Sequence, residues 1–102
     1  MNRDATLKEA HRIVCEGREE DYGSPEQNFK LIANLWTDYL GFYIEPKDVA
    51  MMMALLKIAR IKSGKPKEDN YIDLAGYAAC GAELDTKETT MGVKQEATLC
   101  PR

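Results

Sequence analysis

EPKDVAMMMALLKIARI, residues 45–61, decides the fold. Pro46 suits the first helical position, where its missing N–H would have no helical partner, and Asp48 in the first turn favours the positive end of the helix dipole. From Val49 to Ile61 the segment is apolar on nearly every side, interrupted by Lys57 and Arg60. A surface helix carries one apolar stripe, whereas one that is apolar all round is covered by neighbours on most sides. The stretch therefore predicts the central helix of an all-α domain. Its two cations share a face, and buried cations need partners.

Downstream, Ser63-Gly64-Lys65-Pro66-Lys67 is a turn by composition. Glu68 or Asp69 then opens a fourth helix, NYIDLAGYAACGAEL, whose alanines and glycines permit close backbone approach. On a helical wheel Asn70, Asp73, Leu74, Tyr77, Cys80 and Leu84 fall on one side, so an amide, an acid and a phenol share a face with core residues. Beyond about residue 85 periodicity is lost, which predicts a domain over 1–85 and a mobile tail over 86–102.

Upstream, Ser24-Pro25-Glu26-Gln27 has the form of a capping box with proline at the first helical position. The helix it starts places Phe29, Ile32, Ala33, Trp36 and Leu40 on one face and ends at Gly41, a left-handed closing residue. A first helix runs from Thr6 to about Asp21 on a stripe of Leu7, Ala10, Val14 and Gly17. His11 and Arg18 fall on that stripe, and His11 reads as a core imidazole. Glu16, Glu19 and Glu20 project the other way.

A short turn makes the third and fourth helices an antiparallel hairpin, so Lys57 and Arg60 should approach Asp69, Asn70 and Asp73. The plainer reading is a structural ion-pair network tying two helices together. The functional one is that the acids hold Mg²⁺, which takes one or two carboxylates with phosphate oxygens and water, while Lys57, Arg60, Lys62, Lys65 and Lys67 offset phosphate charge.

The 102 residues leave room for one core, and 44% hydrophobic with 30% charged residues is an ordinary globular balance. A net charge of −3 does not supply the positive field that duplex nucleic acid requires. Cys15, Cys80 and Cys100 lack zinc-knuckle spacing and cannot all pair within the chain, which fits a reducing cytoplasm. Residues 1–12 are too polar for a signal peptide, and the apolar run from Val49 to Leu56 is far short of the roughly 20 residues that span a bilayer. The expected location is the cytoplasm. There is no phosphate-loop, dinucleotide-fold or zinc-protease motif, and a single histidine argues against a nucleophile triad.

EEDYGSPEQNF at 19–29, Trp36, DVAMMMALLKIARI at 48–61 and DNYIDLAGYAACGAEL at 69–84 together resemble a group of small phage and prophage proteins of unassigned function. That group in turn resembles the MazG-like all-α nucleotide pyrophosphohydrolases. The resemblance implies a four-helix MazG-like bundle completed by oligomerisation. In such enzymes an ExxE and an ExxD motif hold Mg²⁺, and a bound water attacks a nucleoside triphosphate to release pyrophosphate. Glu16-Gly17-Arg18-Glu19 reads as ExxE, and Asn70-Tyr71-Ile72-Asp73 stands in the ExxD position with Asn70 replacing a glutamate. On this likeness Asp73 is the principal metal ligand, seconded by Asp69 or Glu20, and Asn70 or Tyr77 orients substrate or water. Lys57, Arg60, Lys65, Tyr22 and Asn28 bind the substrate.

Three functions follow as expectations. The first is a Mg²⁺-dependent pyrophosphohydrolase acting on a nucleoside phosphate. The second is a phage protein that holds a nucleotide or cyclic nucleotide signal without cleaving it and so counters host defence. The third is a helical interaction protein whose charges are internal struts. A homo-oligomer is expected in addition, because three short neighbours cover so apolar a third helix poorly.

Overall fold

A computed structural model describes residues 1–16 and 23–91 and shows four helices, with no strand among the described residues. Helix α1 spans Arg3–Cys15, α2 Pro25–Leu40, α3 Pro46–Ser63 and α4 Glu68–Met91. The all-α class follows from the periodicity of each segment.

Helix α1 starts where the Asn2 side chain accepts the Ala5 N–H at 2.8 Å, and it ends at Cys15 with Glu16 already extended. It is therefore shorter than the expected reach to Asp21. Its buried stripe is also narrower: Ala10 is buried and Val14 half-buried, but Leu7 and His11 are exposed. The reason is that α1 packs chiefly on α4, and a single neighbour covers only a thin arc of helix. His11, expected in the core, instead lies at the surface 3.8 Å from the Glu16 carboxylate. On the same exposed flank the hydrogen bond from Arg12 holds the Glu9 carboxyl below its ordinary range.

Helix α2 opens on the expected capping box. The Ser24 hydroxyl accepts the Gln27 N–H at 3.1 Å, and the Gln27 side chain accepts the Ser24 N–H at 3.2 Å. Ser24→Ala should cost about 1 kcal/mol, because the first turn then loses a bond that satisfied an otherwise unpaired amide. Thermal unfolding should register this as a fall of roughly 4–8 °C, the size expected for a domain of this length. At the other end Gly41 takes φ 84°, and its N–H reaches the Thr37 carbonyl at 2.9 Å. The Thr37 hydroxyl then accepts the Ile44 N–H at 2.8 Å, which turns the chain back and buries Ile44. Leu40, expected inside, is 45% exposed because it lies past the last turn covered by α3.

The core forms where α2, α3 and α4 meet: Phe29, Ala33, Ile44, Val49, Ala50, Cys80 and Leu84, with Trp36, Met53 and Tyr77 packed against it. Helices α3 and α4 make the most extensive contact. They run antiparallel, as the ion pairs Lys47–Asp85 at 3.1 Å and Lys57–Asp73 at 2.9 Å show. Close approach is possible because α4 carries glycine at its contacts. A Cβ on Gly76 would stand 3.0 Å from the Val14 methyl of α1. The same helix continues to Met91, so residues 86–91 of the expected tail are helical, and 92–102 lie outside the described residues.

Helix α3 is less enclosed than its composition predicts. Its inner side, Val49, Ala50 and Ala54, is buried, but Met51, Met52, Leu55, Leu56 and Ile58 are 40–62% exposed. Two helices cover one side of it, and α1 is spent on α4.

Candidate functional site

Lys57 is the cation that needed a partner, and Asp73 provides it. Its ammonium lies 2.9 Å from the Asp73 carboxylate, with the lysine side chain 12% exposed and the aspartate 33%. The short turn after Ser63 sets this register, bringing the fourth turn of α3 against the second turn of α4. The lysine is held in the protein, whereas the acid keeps access to water.

Asp73 also borders a partly open cavity of about 310 Å³ between α1, α2 and α4, with Met53 of α3 behind it. The wall is mainly apolar, made by Val14, Phe29, Ile32 and Ile72. Its polar edge is Asn28 from α2 with Asp73 and Tyr77 from α4. Asn28 is one helical turn past the Ser24 cap, and Asp73 and Tyr77 are four residues apart, which aligns them on one face of α4. Phe29 and Tyr77 approach with ring centroids 6.3 Å apart, a tilted pair that shapes the cavity floor. Ligand sites are commonly of this kind, apolar with a few fixed polar groups, and this one lies at the small end of their size range of roughly 300–1,000 Å³.

Three of the expected residues, Asn28, Asp73 and Tyr77, thus share one cavity, and Lys57 is tied to it through Asp73. Asn70 is buried a turn before Asp73 but does not line the cavity, and its side chain makes no hydrogen bond to another described residue. Arg60, Lys65 and Asp69 are exposed and away from the cavity wall. The expected convergence of Arg60 and Asp69 on Asp73 is therefore not found. Arg60 lies three residues beyond Lys57 and turns to solvent where α4 has only begun. Glu19, Glu20 and Tyr22 lie outside the described residues, and Glu16, the other acid of the ExxE reading, is exposed.

Among the described residues no group of three or more His, Cys, Asp or Glu side chains is placed to hold a metal ion. Asp73 is the one carboxylate these residues offer the cavity, and Lys57 occupies its Oδ2. Mg²⁺ held there would need further oxygens from phosphate and water. The apolar wall itself was missed in the sequence, because Val14, Phe29 and Ile32 read as core and Ile72, which is buried, fell outside the face of the fourth helix read as core-facing. Gly76, which lines the cavity within α4, was the available signal, since a glycine inside a helix marks a close approach.

A second, wider recess of about 730 Å³ lies between the start of α1 and the turn before α4, lined by Arg3, Leu7, Lys67, Glu68 and Tyr71 among others. It holds none of the expected site residues. No described helix is long and apolar enough to cross a membrane.

Fold and site define an all-α protein with a small, partly open, polar-edged cavity and one sheltered ion pair. The chain belongs to the family described as domain of unknown function DUF6378, whose model matches residues 5–85. It is similar to the Gene 55 protein of Mycobacterium phage D29, with 44% identity over 77 residues that cover 76% of this chain and 51% of that protein. Similarity to the Gene 55 protein of Mycobacterium phage L5 is 44% over 83 residues, covering 80% of this chain and 53% of that one. The chain spans about half the length of these curated relatives. The relatives are phage proteins whose names assign no function, which agrees with the likeness to phage proteins read in the sequence. No solved structure matches.

Proposed function

We propose that the protein binds a nucleotide, with the base in the cavity and the phosphates toward solvent, and holds it without cleavage. The observation that carries this reading is the meeting of Asn28, Asp73 and Tyr77 at one apolar cavity. A flat aromatic base suits walls formed by Phe29, Ile32 and Tyr77, and an amide with a carboxylate can read the hydrogen-bonding edge of a base. A cavity of this size takes one ring system, so a dinucleotide signal would leave its second half outside. Arg60 and Lys65, exposed and cationic, are available to phosphates that lie beyond the cavity. In a phage-like protein, holding a nucleotide signal in this way would blunt host defence.

A second reading, a Mg²⁺-dependent pyrophosphohydrolase of MazG-like type, is favoured by the solvent access of Asp73. It requires that Lys57 release the carboxylate and that Asp69 or Glu20 join it at the ion. Calorimetry with nucleoside mono- and triphosphates and cyclic dinucleotides, with and without MgCl₂, tests binding. Chromatography of the recovered ligand tests cleavage. Micromolar binding, weakened about tenfold in Asn28→Ala and abolished in Ile32→Trp, which fills the cavity, is the expected result. Recovery of intact ligand supports holding, whereas pyrophosphate that appears only with Mg²⁺ and disappears in Asp73→Asn supports hydrolysis. If no member of the panel binds, the nucleotide reading falls.

A further inference from the structure

We propose that the outer face of α3 is a homodimer interface in which two copies of the helix pack antiparallel across a two-fold axis at Leu55. Along this face Asp48, Met51, Leu55, Ile58 and Lys62 follow one another at spacings of three and four residues. That is the repeat of two heptads, the pattern by which helices pack against one another at a shallow angle. Met51, Leu55 and Ile58 are 45%, 62% and 40% exposed, and the flanking Met52 and Leu56 are each 40% exposed. The Met51 methyl reaches toward Gly81 of α4 at the edge of this face, and Leu55 at its centre is the most exposed of the five.

The occupant is identified by the order of charges. Asp48 stands seven residues before Leu55 and Lys62 seven after it, about 21 Å apart along the helix. An antiparallel copy centred on Leu55 therefore sets Lys62 of each protomer against Asp48 of the other. Met51 and Met52 then meet Ala59 and Ile58. A parallel copy in the same register would oppose like charges at both ends. Asp48 accepts the Glu45 N–H through one oxygen, which leaves the other for an ammonium. Lys62 is exposed and makes no ion pair with another described residue. The face is thus complementary to itself, as a two-fold contact requires. Such a surface has an apolar centre and a charged rim, the usual anatomy of a protein interface.

The described core also leaves apolar surface to spare. It buries five large apolar side chains, Phe29, Ile44, Val49, Ile72 and Leu84, against fourteen that stay at least 40% exposed. A small domain gains core by covering some of them with a second copy.

Sedimentation velocity tests the proposal on the intact chain. The wild type should sediment as a dimer, and Leu55→Glu, which puts two carboxylates on the axis, should sediment as a monomer with its helical circular dichroism retained. Lys62→Glu, facing Asp48 across the interface, should weaken association on the order of tenfold, whereas Lys62→Arg should leave it unchanged. With Cys15 and Cys100 replaced by serine, a short bismaleimide should link Leu55→Cys subunits efficiently and Leu35→Cys subunits poorly. A monomeric wild type at its highest soluble concentration overturns the proposal. So does a dimer that survives both Leu55→Glu and Lys62→Glu, or linking at residue 35 that matches linking at residue 55.

Discussion

Phe29→Ala should lower the unfolding free energy by about 3 kcal/mol, the largest effect expected from any single truncation in the described core. Phe29 is 7% exposed and joins α2 to α4 through Tyr77, so its removal takes a large buried area and leaves space behind. The loss should lie near the lower end of the usual range for phenylalanine, roughly 3–5 kcal/mol, because the ring already borders a cavity and fewer close contacts are forfeited. Against a total stability of roughly 5–15 kcal/mol, such a loss would leave the domain close to unfolding at growth temperature. Urea titration followed by circular dichroism measures it. A change below about 1 kcal/mol would show that the α2–α4 junction is not where the fold is held.

Removing either member of the Lys57–Asp73 pair should destabilise the protein, and unequally. Asp73→Ala leaves an ammonium whose side chain is 12% exposed without its counter-charge, and about 2–3 kcal/mol should be lost. Lys57→Met leaves a carboxylate that is 33% exposed and still hydrated, and about 1 kcal/mol should be lost. The paired replacement Lys57→Met with Asp73→Leu removes both charges together and should return to within about 1 kcal/mol of the wild type. Equal losses in the two single variants would contradict the difference in burial. The paired variant also separates structure from function. A folded double variant that no longer binds nucleotide gives Asp73 a ligand role, whereas one with unaltered phage activity makes the charges internal struts.

The helices could be read directly because their determinants are local. The Ser24–Gln27 capping box, proline at the first position of α2 and α3, and the glycine that closes α2 act within one or two turns, and each stands where its residues indicated. The end of α1 could not be placed in the same way. Its periodicity ran on through Gly17 and Arg18, but the helix stops at Cys15, with α4 its one extensive neighbour among the described helices. His11 was misplaced for the same reason, since a stripe drawn on a wheel has no width until a neighbour supplies one.

The site was legible in part. Lys57 announced itself as a cation in an apolar helix, and Asp73 as an acid on a core-facing stripe; their pairing followed from the short turn. Arg60 and Asp69 resembled them in type and spacing, but one or two residues of helical rotation carried both to the surface. Apart from Gly76 the cavity had no signature, because a side chain that lines a void and one that fills a core are the same residue type until packing is known.

The chain by itself determined four helices, the antiparallel hairpin of the last two, and the need of one buried lysine for one acid, since capping, periodicity and charge burial act over short range. Tertiary structure alone decided that α1 is spent on α4, that α3 keeps an uncovered apolar face, and that Asn28, Asp73 and Tyr77 converge on one cavity. These outcomes depend on how many neighbours each helix receives and at what rotation, which is a property of the packed assembly and not of any single segment.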